Sequence, residues 1–127
     1  MSHINPATIT PFTRLTTMAY LSTNQIAYER SSSNVTGKLE TLSICNTSAN
    51  NDYIVRIYLN TDSNSYAQMI QATVPRGATY FAVSADAPLY VGSVERVLVR
   101  AGSVAGGAND GSSQVLHIVA SGLEIPN

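Results

Sequence analysis

Cysteine, tryptophan, lysine and net charge are all scarce in this chain. Cys45 is the only cysteine among 127 residues, which excludes an intrachain disulfide and any cysteine-based metal cluster. Stability therefore has to come from packing. Asp, Glu, Lys and Arg make up only 12% of residues, about half the usual share. Polarity falls instead to Ser, Thr, Asn and Gln, which protect a surface against association less well than charge does. Net charge is -1 and Lys38 is the only lysine, so there is little long-range field to draw in nucleic acid or an anionic membrane. No apolar run approaches the ~18 residues of a membrane-spanning helix. The opening MSHINPATITPF has neither the basic start nor the apolar centre of a secretory signal, and synthesis in a host cytoplasm is expected. The sequons at Asn34 and Asn46 then read as products of an Asn-, Ser- and Thr-rich composition.

What the chain does have is β-forming sequence. An apolar content of 44% in 127 residues fits one domain with one core. Short runs rich in Val, Ile, Thr and Tyr recur with turn clusters between them, which predicts an all-β domain. About eight strands are expected: Arg14 to Leu21, Gln25 to Arg30, Lys38 to Asn46, Tyr53 to Asn60, Gln68 to Val74, Thr79 to Ser84, Val94 to Ala101 and Gln114 to Ser121. The architecture expected is an antiparallel β-sandwich over residues 13–127, jelly-roll or immunoglobulin-like, preceded by an extended arm over residues 1–12, where Pro6 and Pro11 oppose packing. In the run from Tyr53, a period of two puts Tyr53, Val55, Ile57 and Leu59 on one face and Ile54, Arg56, Tyr58 and Asn60 on the other. The Asn46 to Asp52 segment, all turn-forming residues, reads as a hairpin loop between antiparallel strands. Pro75-Arg76-Gly77 and Ala85-Asp86-Ala87-Pro88 mark two more junctions, and Gly102 to Ser113 a loose loop.

Groups for catalysis are few, and no enzyme is expected. His3 lies in the arm, and His117 sits in VLHIVA opposite Leu116 and Ile118, as a partly buried sheet histidine without a neighbouring acid or nucleophile. Cys45 ends an apolar strand with no basic neighbour to activate it, and reads as a buried, inert thiol. Asp52, Asp62, Asp86 and Asp110 all fall in turns, where Asp caps backbone groups. Spacings for a zinc or EF-hand site are missing, and Gly106-Gly107 lacks the Lys of a phosphate-binding loop, so neither metal nor cofactor is expected. Arg96 and Arg100, four apart on a strand, share one face and suit an interface better than a nucleic-acid site. Arg14 and Tyr20 join them as interface candidates, Tyr because its ring can bury while its hydroxyl stays wet.

One resemblance is carried by the order of four elements. Ile44-Cys45-Asn46-Thr47-Ser48, Val55-Arg56-Ile57-Tyr58-Leu59, Val74-Pro75-Arg76-Gly77 and Ser121-Gly122-Leu123-Glu124-Ile125 together resemble small structural proteins of tailed-phage virions. The likeness runs from Leu39 to the C-terminus; Gly92-Ser93-Val94-Glu95 departs from the Gly-Asp step usual there. The resemblance implies a β-sandwich virion component without catalysis, such as a capsid decoration or cement protein, or a neck or tail part. It would associate with itself and with a major capsid or tail protein. The alternative is a carbohydrate- or receptor-binding module of a tail fibre, with Asn50, Asp52, Tyr66 and Asp110 as its loop site.

Overall fold

The structure, a computed structural model, describes residues 9–19, 24–60, 66–92, 95–103, 110–111 and 113–127. Among them are nine strands and no helix: β1 (Thr10–Met18), β2 (Gln25–Glu29), β3 (Val35–Asn46), β4 (Tyr53–Asn60), β5 (Tyr66–Val74), β6 (Thr79–Val83), β7 (Leu89–Val91), β8 (Arg96–Ser103) and β9 (Leu116–Pro126). They form two antiparallel sheets, a five-stranded one ordered β1-β9-β3-β6 with β7 also on β3, and a four-stranded one ordered β2-β8-β4-β5. The expected β-sandwich is what the chain builds. Thr10 to Phe12, assigned in sequence to the arm, are instead strand, paired with Gly122 to Glu124 of β9. Residues 1–8 lie outside the described residues.

Period-two alternation decides which residues fill the space between the sheets. Leu39, Leu42 and Ile44 of β3, Val55 and Ile57 of β4, Val97 and Val99 of β8, and Leu116 and Ile118 of β9 all point inward and are essentially inaccessible to water. Burying each aliphatic side chain is worth about 1.5–3 kcal/mol relative to exposure. The alternation breaks at bulges. In β3 Glu40 is an extra residue against β9, so Leu39 and Leu42 both face the core although they are three apart. β5 carries an extra residue, Met69, opposite the Ile57–Tyr58 step of β4. Asn60, expected on the wet face, is fully buried, because the Arg96 guanidinium lies over it and donates to its Oδ1 at 3.2 and 2.7 Å.

The Asn46 to Asp52 segment is not a hairpin. β3 and β4 belong to different sheets, so this run crosses the sandwich from one layer to the other. The Pro75 to Ala78 run, from β5 to β6, crosses at the same end. Asn46 holds both crossings. Its Nδ2 donates to the carbonyls of Asn51 (2.8 Å) and Val74 (3.0 Å), and its Oδ1 accepts from Ser48 N at 2.9 Å. Its backbone exchanges hydrogen bonds with Ala78 and Gly77 at 2.9 and 2.8 Å. Gly77 has φ of 74°, which glycine adopts without strain. Among the described strands only β4 and β5 pair as sequence neighbours.

The Ala85 to Pro88 junction has a different role from a sheet change. β6 and β7 both run antiparallel to β3, against Leu42–Cys45 and Gly37–Leu39 respectively, so they are one edge strand interrupted by residues 84–88. Three-residue β7 is the strand that the sequence did not announce.

Candidate interaction surface

Two carboxylates lie at opposite ends of the sandwich, and donors occupy both. Glu124 in β9 is 5% exposed. Its Oε2 accepts from Tyr28 OH at 2.7 Å and Ser31 N at 2.9 Å, and its Oε1 from Ser31 Oγ at 2.6 Å. Arg14, projecting from β1, brings Nη2 to 3.9 Å of Oε2 while its guanidinium lies over the stacked Phe12 and Tyr28 rings. Burial alone would push the Glu124 carboxyl up; the bonds from Ser31 and Tyr28 and the nearby Arg14 charge outweigh it and hold it below the usual glutamate range. Burial, and then the bond to Glu124, push the Tyr28 phenol well above the ordinary tyrosine range.

At the other end Asp110 Oδ2 accepts from Tyr53 OH, from Ser48 Oγ at 2.7 Å and from Asn51 Nδ2 at 3.1 Å. Its own amide donates to Tyr53 OH at 3.0 Å. The bonds from Tyr53, Ser48 and Asn51 lower its pKa, and burial with the Asp110 contact raises that of Tyr53. Each carboxylate is a tie between loops and strands, ionised and occupied. Among the described residues no three His, Cys, Asp or Glu side chains gather where they could hold a metal ion.

The sequence-predicted site residues are therefore dispersed. Arg14 is half-buried against Glu124, and Tyr20 lies outside the described residues. Arg96 and Arg100 do point out from one face of β8, with Leu98 between them, and Arg56 of β4 stands directly opposite Arg100. Arg56 was already on the outward side of its strand by period; only the register pairs it with Arg100. Asn50, Asp52 and Asp110 sit at the Asn46 end, where Asp52 Oδ1 caps Arg76 N at 3.0 Å. Tyr66 does not join them. It pairs with Asn60 while Tyr53 pairs with Val74, placing it at the far end of β4, about 23 Å away at ~3.3 Å per residue. His117 and Cys45 face each other across β9 and β3 on the outward side. Cys45 is half-exposed and not buried as expected, since Ile44 takes the inward place and Cys45 must turn out. Gly102, expected in a loop, is in β8.

The outer face of the five-stranded sheet is the feature that single-strand reading missed. Register aligns its outward residues into rows across four strands: Leu15–Val119–Ser43–Phe81, then Thr17–His117–Cys45–Thr79 on one side and Thr13–Ser121–Thr41 on the other. Leu15 is 68% exposed and Phe81 67%. Its outward-facing strand residues carry one charge of each sign among those described, Lys38 and Glu40, two apart at the β3 bulge. Hydroxyls here bond one another, as Thr41 does with Ser121. A face that exposes large apolar side chains with balanced charge is suited to protein contact. No protein-family model matches the chain, and no curated protein matches it.

Proposed function

We propose that this chain is a non-enzymatic structural protein of a tailed-phage virion, which self-associates and docks on the particle as a decoration or cement protein, or as a neck or tail component. The observation that carries the self-association is the uncovered outer face of the five-stranded sheet, with Leu15 and Phe81 projecting from its two outer strands. Placing the assembly in a virion rests on the order of the four sequence elements. Occupied carboxylates at both ends of the sandwich fit a scaffold better than a reaction centre. The carbohydrate-binding alternative needs Tyr66 beside Asn50, Asp52 and Asp110, and the length of β4 between them weighs against a shared site.

Light scattering over a wide dilution series tests this reading. A defined oligomer that dissociates on dilution is the expected result. A strict monomer up to the solubility limit overturns self-association, and a glycan-array signal abolished by Tyr66→Ala would transfer the function to sugar binding.

A further inference from the structure

We infer that two copies of this chain meet through the outer face of the five-stranded sheet, about a twofold axis that lies in the contact plane, parallel to the strands and between β9 and β3. The inference rests on the self-association proposed above and adds to it the surface, the partner and the symmetry.

The argument comes from the order of residues across the sheet. Leu15 and Phe81 lie at the two ends of one cross-strand row, on β1 and β6, with Val119 and Ser43 between them. Three strand spacings separate them, about 14 Å. Rotation about an axis midway along that row exchanges its ends. Leu15 of one copy is then set over the partner's Phe81, and Phe81 over the partner's Leu15, while Val119 meets the partner's Ser43. Leu15 and Phe81 are both covered by one operation, and so is Tyr90, which the row Pro11–Leu123–Lys38–Tyr90 sets over the partner's Pro11, while the smaller central positions leave room between them. A twofold axis along the row would pair Leu15 with Leu15 and Phe81 with Phe81, but it would carry Tyr90, exposed on the same face opposite Lys38, past the Thr79 end of β6 and leave it in water.

Charge and area agree with this. Lys38 and Glu40 are the only outward-facing charged residues on the described strands of this sheet, since Arg14 and Glu124 face inward against each other, and they balance one another, so a second copy meets no net repulsion. The opposite face of the sandwich carries Arg56, Arg96 and Arg100 against one carboxylate, Glu29, opposite Arg96; Arg56 and Arg100 are direct cross-strand neighbours, so self-pairing there would meet an excess of positive charge. Four strands and about seven residues give the favoured face a plan of roughly 19 by 23 Å. With side-chain relief that is on the order of the ~800 Å² per partner buried in a stable contact. Isologous contacts of this kind close at two copies.

Cross-linking tests surface and symmetry together. In a Cys45→Ser background, the double variant Leu15→Cys/Phe81→Cys is oxidised with copper phenanthroline and run without reductant. A covalent dimer that does not extend into a ladder is expected from the double variant, and none from either single variant, because the axis holds each position about 14 Å from its own copy. Both positions are exposed, and a cooperative melt checks that the variants fold. In the Cys45 wild type, Phe81→Asp should raise the dimer dissociation constant about a hundredfold or more, since the axis presents each change twice, whereas Gln71→Asp should leave it unchanged. Absence of the double-variant dimer, a ladder, or equal cross-linking of the single variants overturns the inference. An oligomer by light scattering without that cross-link would sink this face and axis yet leave self-association standing; a monomer would sink both.

Discussion

Glu124 and its donors show how one residue can make stability depend on pH at both extremes. Its carboxylate is held below the ordinary glutamate range by Ser31, Tyr28 and Arg14. A depressed folded value means stability that is present above the unfolded pKa, near 4.3, and lost as pH falls through the lower folded value. Tyr28 works with the opposite sign. Its folded value is raised, so its contribution is intact below about pH 10 and declines as pH rises from there. Urea unfolding across pH should therefore show acid and alkaline shoulders. In Glu124→Gln the acid shoulder should flatten, and neutral stability should fall by about 1–3 kcal/mol as a buried charged acceptor is lost. In Tyr28→Phe the alkaline shoulder should shrink, with a cost of about 1 kcal/mol at neutral pH.

At the scale of elements, two positions decide whether strands can meet as they do. Gly122 of β9 faces the β3 bulge so closely that a Cβ there would lie 1.9 Å from the Lys38 carbonyl oxygen. Backbone cannot move aside as a flexible side chain can. Gly122→Ala should cost on the order of 3 kcal/mol or more, placing it in the upper tail of single substitutions, and a thermal melt will measure it. Asn46 is the corner for both sheet crossings, and Asn46→Ala leaves the Val74 and Asn51 carbonyls without their side-chain donor. A loss of about 2–4 kcal/mol is expected, with hydrogen exchange accelerated first at Ser48, whose amide bonds the Asn46 side chain.

For the whole molecule, topology governs kinetics. Among the described residues six of the seven strand pairings, all but β4 with β5, join strands that are not neighbours in sequence; β1 and β9 span nearly the entire chain. Loop closure must precede the reward of such contacts, so refolding should take milliseconds to seconds, slower than in a helical domain of this size. Stopped-flow fluorescence of the tyrosines can follow it; microsecond refolding would contradict this topology. Ile44→Ala, in the centre of the core, should destabilise the whole sandwich cooperatively by about 2–5 kcal/mol.

Period and turn chemistry made most of the strands legible in the chain itself. Tyr53 to Asn60 was readable to the residue, because Val55 and Ile57 alternate with Arg56 and the flanks are turn-formers. Gln25 to Glu29 and Thr79 to Val83 were readable for the same reason, whereas β7 was too short to carry a period. The β3 bulge hid the inward turn of both Leu39 and Leu42, since an extra residue shifts the parity beyond it, and the burial of Asn60 was hidden because it comes from Arg96 of a distant strand. Asn46 to Asp52 has the composition of any tight connection, and composition is blind to whether the next strand lies beside the last or in the opposite layer. The sequence by itself determined an all-β sandwich with little charge and a single thiol. Tertiary structure alone decided that Leu15, Val119, Ser43 and Phe81 form one row, that Arg56 stands beside Arg100, and that Tyr66 is remote from Asp110. Each depends on pairings between strands far apart in the chain, and a local pattern carries no information about its distant partner.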